Sequence, residues 1–177
     1  LFRSISGNGE NTVSIASGLA CGIGYERALM LDISNMGTLS GNLYHEIAHW
    51  IDQTIEELER QGRYGGFEEG FAALNPTDDY YLYSYADYYG RNEYTYFGSS
   101  LDMVYSIDGY GRTYPTEDRA RMVEYLMVDD HGWSLYLCPH LMEKYRYYFS
   151  VIRETFDTTG WPEKTAWELK LSAWEQK

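Results

Sequence analysis

Cysteine and long apolar runs are both scarce in this sequence, and each shortage excludes a class of protein. Only Cys21 and Cys138 are present, and they form no CxxC motif, which excludes a zinc site built from cysteines. The two residues either pair in a disulfide, as in exported proteins, or remain two buried thiols, and the sequence leaves both open. No apolar run approaches the roughly 18–20 residues that span a bilayer, so we expect no transmembrane segment.

Basic side chains are also few, since 14 Lys and Arg face 27 Asp and Glu, for a net charge of −13. Proteins that bind nucleic acid or anionic membrane surfaces normally carry the opposite sign, so we expect no nucleic-acid partner. An acidic surface more often keeps a protein soluble than attracts basic substrates. The chain begins at Leu1 with no visible signal peptide, and we expect that any targeting segment has been removed.

The sequence contains enough apolar and aromatic residues to form the core of one domain. Its 177 residues are 44% hydrophobic, which suits a single domain with its own core. Nineteen tyrosines serve either half-buried packing or a polar binding groove. We predict one α+β, mainly helical domain over residues 1–177. Residues 1–37 would contain a small sheet, residues 38–130 the motifs described below, and residues 131–177 the C-terminal helices.

The spacing of apolar residues predicts the order of the elements. Strands are predicted at residues 12–20 and 27–33. The helix that follows runs from Thr38 or Ser40 to about Gln61 and ends at Gly62. Its apolar residues recur every three or four positions: Leu39, Leu43, Ile47, Trp50, Ile51, Ile55 and Leu58. Further helices are predicted at residues 68–74, from residue 115 along Ala120, Val123, Leu126 and Met127, at residues 133–156, and from residue 161 onward.

The first predicted helix carries the motif His45-Glu46-Ile47-Ala48-His49. A spacing of four places both imidazoles on one helix face, at the reach needed to bind one zinc ion. Glu46 lies beside them, positioned to take a proton from a zinc-bound water whose pKa the metal lowers toward ~7. A chance match on an amphipathic helix is the alternative. The helical pattern around the motif, and its use of two of only four histidines, favour a metal site.

A catalytic zinc site has three protein ligands and one position for water, so a third ligand is required. No HxxGxxH continuation is present, which excludes the metzincin pattern. Glu69 lies 20 residues beyond His49, a thermolysin-like spacing, although the Asn and Asp that usually accompany that type are missing. Glu117 lies 68 residues beyond His49, in the first turn of a predicted helix. Spacing alone leaves both glutamates open.

The segment from Tyr110 to Arg121 reads YGRTYPTEDRAR. It resembles the second motif of the anthrax lethal factor-like metallopeptidases and the Pro-Pro endopeptidases, in which a tyrosine stands seven residues before the glutamate ligand. Asp52, three residues after His49, agrees with the first motif of that group. The chain is also similar to predicted zinc-binding peptidases of gut bacteria, whose second motif reads like Glu-Asp-Arg-Ala. The resemblance covers residues 38–130 and is specific at the two motifs.

The resemblance implies a zincin-like fold of the gluzincin type and a zinc-dependent endopeptidase. His45, His49 and Glu117 would bind one catalytic zinc ion. Glu46 would be the general base, and Tyr110 would stabilise the oxyanion, a contribution worth ~10²–10³ in rate. The substrate would be a peptide or protein, and the hydrolase would be bacterial and either secreted or at the cell surface. The alternative is a catalytically degenerate module of the same fold that binds peptide or glycan.

One position departs from the resembled group. Arg121 stands where a second glutamate often follows the glutamate ligand by one turn and supports it. Asp118 or Asp52 is the candidate for orienting a zinc-bound histidine instead, and a surface ion pair with an arginine is the alternative for either. His131 and His140 have no ligand-like partner at short spacing, so we expect loop or helix-cap histidines.

The aromatic cluster between Tyr80 and Tyr96 is expected to pack between the two motif-bearing helices, with a substrate groove as the alternative. By analogy with other zinc peptidases, the edge of the predicted strand at residues 27–33 is a candidate surface for an extended peptide.

Overall fold

A computed structural model describes residues 18–23, 26–31, 39–87, 100–128 and 135–176, the first two stretches as backbone alone. Helices make up most of the described residues, which confirms the prediction of a mainly helical protein. None of the helices in these stretches is both long enough and apolar enough to cross a membrane.

Two short extended segments precede the helices. β1 runs over Gly18–Ile23 and β2 over Glu26–Leu31, and they pair antiparallel with Gly18 opposite Leu31. Both segments contact the first helix. Of the strands predicted at residues 12–20 and 27–33, residues 12–17 and 32–33 lie outside the described part of the chain.

The first helix, α1, covers Leu39–Arg60 and ends next to Gly62, as predicted. Gly62 has φ 66°, a left-handed conformation that a residue without a Cβ adopts at low cost. Its N–H donates to the carbonyl of Glu59 at 2.8 Å, and the N–H of Arg63 donates to that of Leu58 at 2.9 Å. This is a Schellman arrangement, which satisfies carbonyl groups that the helix end would otherwise leave without partners.

The buried face of α1 includes Ala48, Ile51 and Ile55, which belong to the predicted helical pattern or lie beside it. Trp50, which was placed on the apolar stripe, is 40% exposed instead. The buried face of α1 therefore has fewer apolar residues than the sequence pattern predicted. The charged side chains of Glu46 and Asp52 occupy part of it.

Two further α-helices come next after α1 in the described part of the chain. α2 covers Phe67–Ala72 and ends earlier than predicted, and α3 covers Pro115–Val128. Proline suits the first position of a helix, because its fixed φ is helical and its missing N–H would have no intrahelical acceptor there. α3 packs along α1, which brings the two sequence motifs together.

The C-terminal helices begin later than the sequence predicted. α4 covers Pro139–Thr155 and follows a 3₁₀ turn at Leu135–Leu137, with Pro139 at the first position of the helix. α5 covers Ala166–Trp174, whereas the prediction began at Trp161. Thr165 caps α5 in a capping box with Glu168, whose carboxylate accepts the Thr165 N–H at 2.6 Å.

The described core draws on all five helices and contains two fully buried cations. The guanidinium of Arg119 donates to Asp52 at 2.7 Å and to Glu68 at 2.6 Å, which joins α3 to α1 and α2. Lys144 of α4 donates to Asp118 of α3 at 2.6 Å. Because a buried charge without a partner is costly, these pairs hold α3 in one position against its neighbours.

Candidate metal centre

The packing of α1 against α3 brings together His45, His49 and Glu117. The Nε2 atom of His45 lies 3.1 Å from Glu117 Oε2 and 3.1 Å from the Nε2 atom of His49. The third distance, from His49 Nε2 to Glu117 Oε2, is 3.4 Å, so the three atoms form a nearly equilateral triangle. Helical periodicity accounts for the two histidines, which lie one turn apart on α1, and the first turn of α3 supplies the carboxylate.

These distances fit a tetrahedral metal ion. Zinc binds imidazole nitrogen at about 2.0–2.1 Å and carboxylate oxygen at similar distances, so two ligand atoms of a tetrahedral site lie about 3.3 Å apart. The three observed edges are close to that value. The three side chains thus form a group that is close enough to hold one metal ion.

The charge of Glu117 is stabilised by its neighbours. Burial opposes its ionisation, but hydrogen bonds with His45, His49 and Tyr85 outweigh burial and hold the pKa of the carboxyl well below its usual range. At His45, burial likewise opposes the charged form, but Glu117 and Glu124 raise its pKa to about 9. The two carboxylates thus favour positive charge at the site, whether it is a proton on His45 or a bound cation.

Glu46 and two tyrosines surround the three candidate ligands. Glu46 is buried, and its charge helps to raise the pKa of both Tyr85 and Tyr110. The hydroxyl of Tyr85 donates to Glu117 Oε1 at 2.6 Å. The ring of Tyr110 lies 6.1 Å from the His45 ring and is stacked on Tyr85 at 6.0 Å, centroid to centroid. Tyr85 was not singled out in the sequence, because it lies in a stretch without clear periodicity.

Both phenols are held in the protonated form. Burial is the largest cause for Tyr110, followed by the negative charge of Glu117, and together they raise its pKa well above the ordinary tyrosine value. For Tyr85, burial is again the largest cause of a raised pKa, followed by the hydrogen bond to Glu117 and then by the charge of Glu117. Each hydroxyl is therefore a hydrogen-bond donor across the working pH range of most proteins.

The remaining nitrogen of His45 also has a carboxylate partner, though not one of the two predicted. His45 Nδ1 lies 3.2 Å from Glu124 Oε2. Asp52 instead bonds Arg119 and Tyr148, and Asp118 bonds Lys144 and Tyr81. Glu124 is seven residues after Glu117 and so on the same face of α3, which is the sequence signal that identifies it.

The other candidates from the sequence lie elsewhere. Glu69 is exposed on α2 and is outside the group formed by His45, His49 and Glu117. His140, in the first turn of α4, stacks on Tyr105 with ring centroids 4.0 Å apart. His131 lies outside the described residues.

The tyrosine-rich segment divides into two parts. Tyr80 and Tyr81 are buried in the core, as expected for packing, whereas Tyr83 and Tyr85 are 62% and 44% exposed. Residues 88–99 lie outside the described part of the chain. Cys138 is buried, and the side chain of Cys21 is outside the description.

No family model matches this chain, and neither a curated protein nor a solved structure matches it. The geometry between α1 and α3 is therefore the basis for the function proposed below.

Proposed function

We propose that this protein is a zinc-dependent endopeptidase whose metal ligands are His45, His49 and Glu117. The observation that carries the proposal is the triangle formed by two Nε2 atoms and one carboxylate oxygen, with edges of 3.1 to 3.4 Å. Two imidazoles and one carboxylate are a donor set that suits catalytic zinc, which keeps one position for water. Glu46, next to His45 on the same helix turn, adds a carboxylate that is not needed as a ligand.

Zinc, when bound, would polarise the carbonyl of the peptide bond and lower the pKa of a coordinated water. Glu46 would accept the proton from the attacking water and pass it to the leaving amine. The neighbouring phenol of Tyr110 would donate to the carbonyl oxygen as negative charge develops on it. Its raised pKa supports this role, because a donor must keep its proton. Tyr85 would hold the second oxygen of Glu117, leaving Oε2 facing both histidines.

A zincin-like architecture of the gluzincin type is part of the same proposal. Its support is the order of elements, in which β1 and β2 precede and contact the helix that carries HExxH, and a later helix supplies the glutamate. The resemblance of both motifs to the lethal factor-like group supports a peptide or protein substrate. On the same ground we propose a bacterial protein that is secreted or displayed at the cell surface.

The test is metal analysis combined with cleavage of a mixed peptide library by the wild-type protein and by Glu46→Gln. We expect about one zinc ion per chain in both proteins, and cleavage by the wild type alone. Glu57→Gln is the matched control, since Glu57 lies on α1 but pairs with Arg60 away from the site. Full cleavage by Glu46→Gln would contradict the mechanism. Wild-type protein that holds no zinc and cleaves nothing would favour a degenerate module that binds peptide or glycan.

A further inference from the structure

Arg121 stands at the centre of a chain of ion pairs that runs beside the metal centre. We propose that Arg121 is a positioning residue that holds both the metal ligand His45 and the turn that carries Tyr110. It would act on His45 through Glu124 and on the turn through Asp108. The inference rests on the proposed function, and it gives a role to the residue that replaces the glutamate of the resembled peptidases.

On one side, the series of ion pairs extends from Arg121 to His45. Arg121 Nη1 donates to Glu124 Oε2 at 2.6 Å, and the same oxygen lies 3.2 Å from His45 Nδ1. A carboxylate at Nδ1 keeps a proton on that nitrogen, so Nε2 is the nitrogen of His45 that would give up its proton and present a lone pair to a metal ion beside Glu117 and His49. Arg121 fixes the carboxylate in turn, because a charge-assisted bond from a planar guanidinium restricts its rotation.

On the other side, the ion pairs extend from Arg121 to the turn at residues 108–113, which carries Tyr110. Arg121 Nε donates to Asp108 Oδ2 at 3.0 Å, and the other oxygen of Asp108 accepts the N–H of Gly111 at 2.9 Å. The turn closes through Thr113, whose N–H and hydroxyl both donate to the carbonyl of Tyr110, at 2.9 and 2.7 Å. Asp108, two residues before Tyr110, and Gly111, the residue after it, are thereby tied to the same guanidinium that orients Glu124.

The charges around position 121 favour arginine. Glu124 and Asp108 are two carboxylates that approach one point from α3 and from the turn, and a glutamate at 121 would add a third negative charge between them. Gly41 of α1 leaves room for Glu124, since a Cβ there would meet Glu124 Oε1 at 3.1 Å. The guanidinium also lies over the ring of Tyr125, 4.7 Å from its centroid. The three ion-paired side chains are 10 to 19% exposed, so water screens them only in part.

The experiment separates the two halves by measuring zinc affinity and turnover independently. Zinc dissociation constants come from competition with a chelator, using Zn²⁺ alone as the probe. We expect Glu124→Ala and Arg121→Ala each to weaken zinc binding about 10- to 100-fold. Arg121→Lys, which keeps the charge but not the planar fork, is expected to lie between the wild type and Arg121→Ala. Zinc binding as tight as wild type in folded Glu124→Ala or Arg121→Ala would overturn the link to His45.

The link to Tyr110 is tested by turnover of one library-derived peptide. Asp108→Asn should lower kcat about 10-fold or more, with zinc affinity and KM within about two-fold of wild type. In a Tyr110→Phe background, the same Asp108→Asn change should leave kcat unaltered, because the group that it positions is absent. An equal loss of kcat in both backgrounds would show a general structural effect and overturn this link.

Arg153→Ala is the matched control, since Arg153, in the last turn of α4, also donates to a glutamate, Glu168 of α5, and lies over an aromatic ring. Its zinc affinity and kcat should stay within about two-fold of wild type.

If Arg121→Ala does not fold, as judged by circular dichroism without zinc, Glu124→Ala and Arg121→Lys decide the link to His45. If the zinc-bound wild type cleaves nothing, the proposed function fails, while the chelator measurements still support or overturn the link to His45.

Discussion

At the scale of single residues, the proposed mechanism assigns different tasks to the two tyrosines beside Glu117. Tyr85 is bonded to Glu117 Oε1, so its hydroxyl fixes the direction of the carboxylate. Tyr110 lies against His45 and stacks on Tyr85, and its phenol is close enough to Glu117 and the buried Glu46 for their charges to raise its pKa. Of the two, Tyr110 is the better candidate for contact with substrate, and Tyr85 for support of the ligand.

Tyr110→Phe is expected to lower kcat by ~10²–10³, because it removes one donor to the developing negative charge. Zinc affinity should change little, since the phenol is not a ligand. Tyr83→Phe is the control, because the Tyr83 side chain is 62% exposed and its ring contacts those of Tyr81 and Tyr114. Steady-state kinetics and chelator competition measure both quantities. Equal kcat values for Tyr110→Phe and wild type would remove Tyr110 from the mechanism.

The sequence predicted the two histidines and Glu46 because their placement depends only on helical periodicity. It could not predict the bond from Tyr85 to Glu117, which joins a segment without periodicity to α3 across 32 residues. Glu124 lay within reach of prediction, since it follows Glu117 by two helical turns. Asp52 and Asp118 were preferred for their nearness in sequence to His49 and Glu117. Both carboxylates instead neutralise buried cations, a demand that only the packed core reveals.

At the scale of helices, the fully buried guanidinium of Arg119 holds α3 against α1 and α2. It bonds Asp52 and Glu68 and lies over the rings of Phe67 and Phe71, at 4.5 and 4.9 Å. Asp52 is buried and also accepts the hydroxyl of Tyr148 at 2.8 Å. The pair thus contributes to the packing that places Glu117 beside the histidines.

Arg119→Ala should lower the free energy of unfolding by about 3–5 kcal/mol, because the buried Asp52 carboxylate loses its cation. Urea unfolding of the zinc-free protein measures this. Arg146→Ala is the control: its ion pair with Glu175 is largely exposed and should be worth less than about 1 kcal/mol. Equal losses in the two variants would contradict a special role for the buried pair.

The start of α5 gives stability a dependence on pH. The hydrogen bond from Arg153, ahead of the other influences, lowers the pKa of Glu168 to about 2 from its usual 4.5. A lowered pKa means that this contribution is complete above about pH 4.5 and is lost as the pH falls toward 2. Glu168→Gln should therefore be less stable than wild type at pH 7, and the difference should shrink between pH 4.5 and 2. A difference in urea unfolding that stays constant over that range would be the contrary result.

Helix ends show where local sequence signals suffice. Gly62 ends α1 as predicted, because a left-handed residue there needs no tertiary support. The predicted start of α5, at Trp161-Pro162, was wrong by five residues. The helix begins at Ala166, after the capping box that Thr165 and Glu168 form. The carbonyls of Pro162 and Glu163 accept bonds from Arg153 of α4 instead, which keeps that stretch outside the helix.

At the scale of the whole molecule, the candidate ligands come from helices that are far apart in the chain. A metal ion bound by α1 and α3 would cross-link elements that unfolding separates, because the unfolded chain does not hold His45 and Glu117 together. Zinc at 100 times its dissociation constant should stabilise the folded protein by about 2.7 kcal/mol.

The melting temperature should therefore rise with zinc concentration and fall again on addition of a chelator. His49→Ala, which removes one ligand, should largely abolish the dependence, whereas His140→Ala should retain it, since His140 only stacks on Tyr105. Differential scanning calorimetry gives the comparison. A wild-type melting temperature that does not change with zinc concentration would argue against a metal site between α1 and α3.

The most direct test of the central claim is anomalous scattering at the zinc edge from crystals of the zinc-bound protein. We expect one peak between α1 and α3, about 2.0–2.2 Å from Nε2 of His45, Nε2 of His49 and a carboxylate oxygen of Glu117. A peak that is coordinated by Glu69 in place of Glu117, or the absence of any peak at this interface, would contradict it.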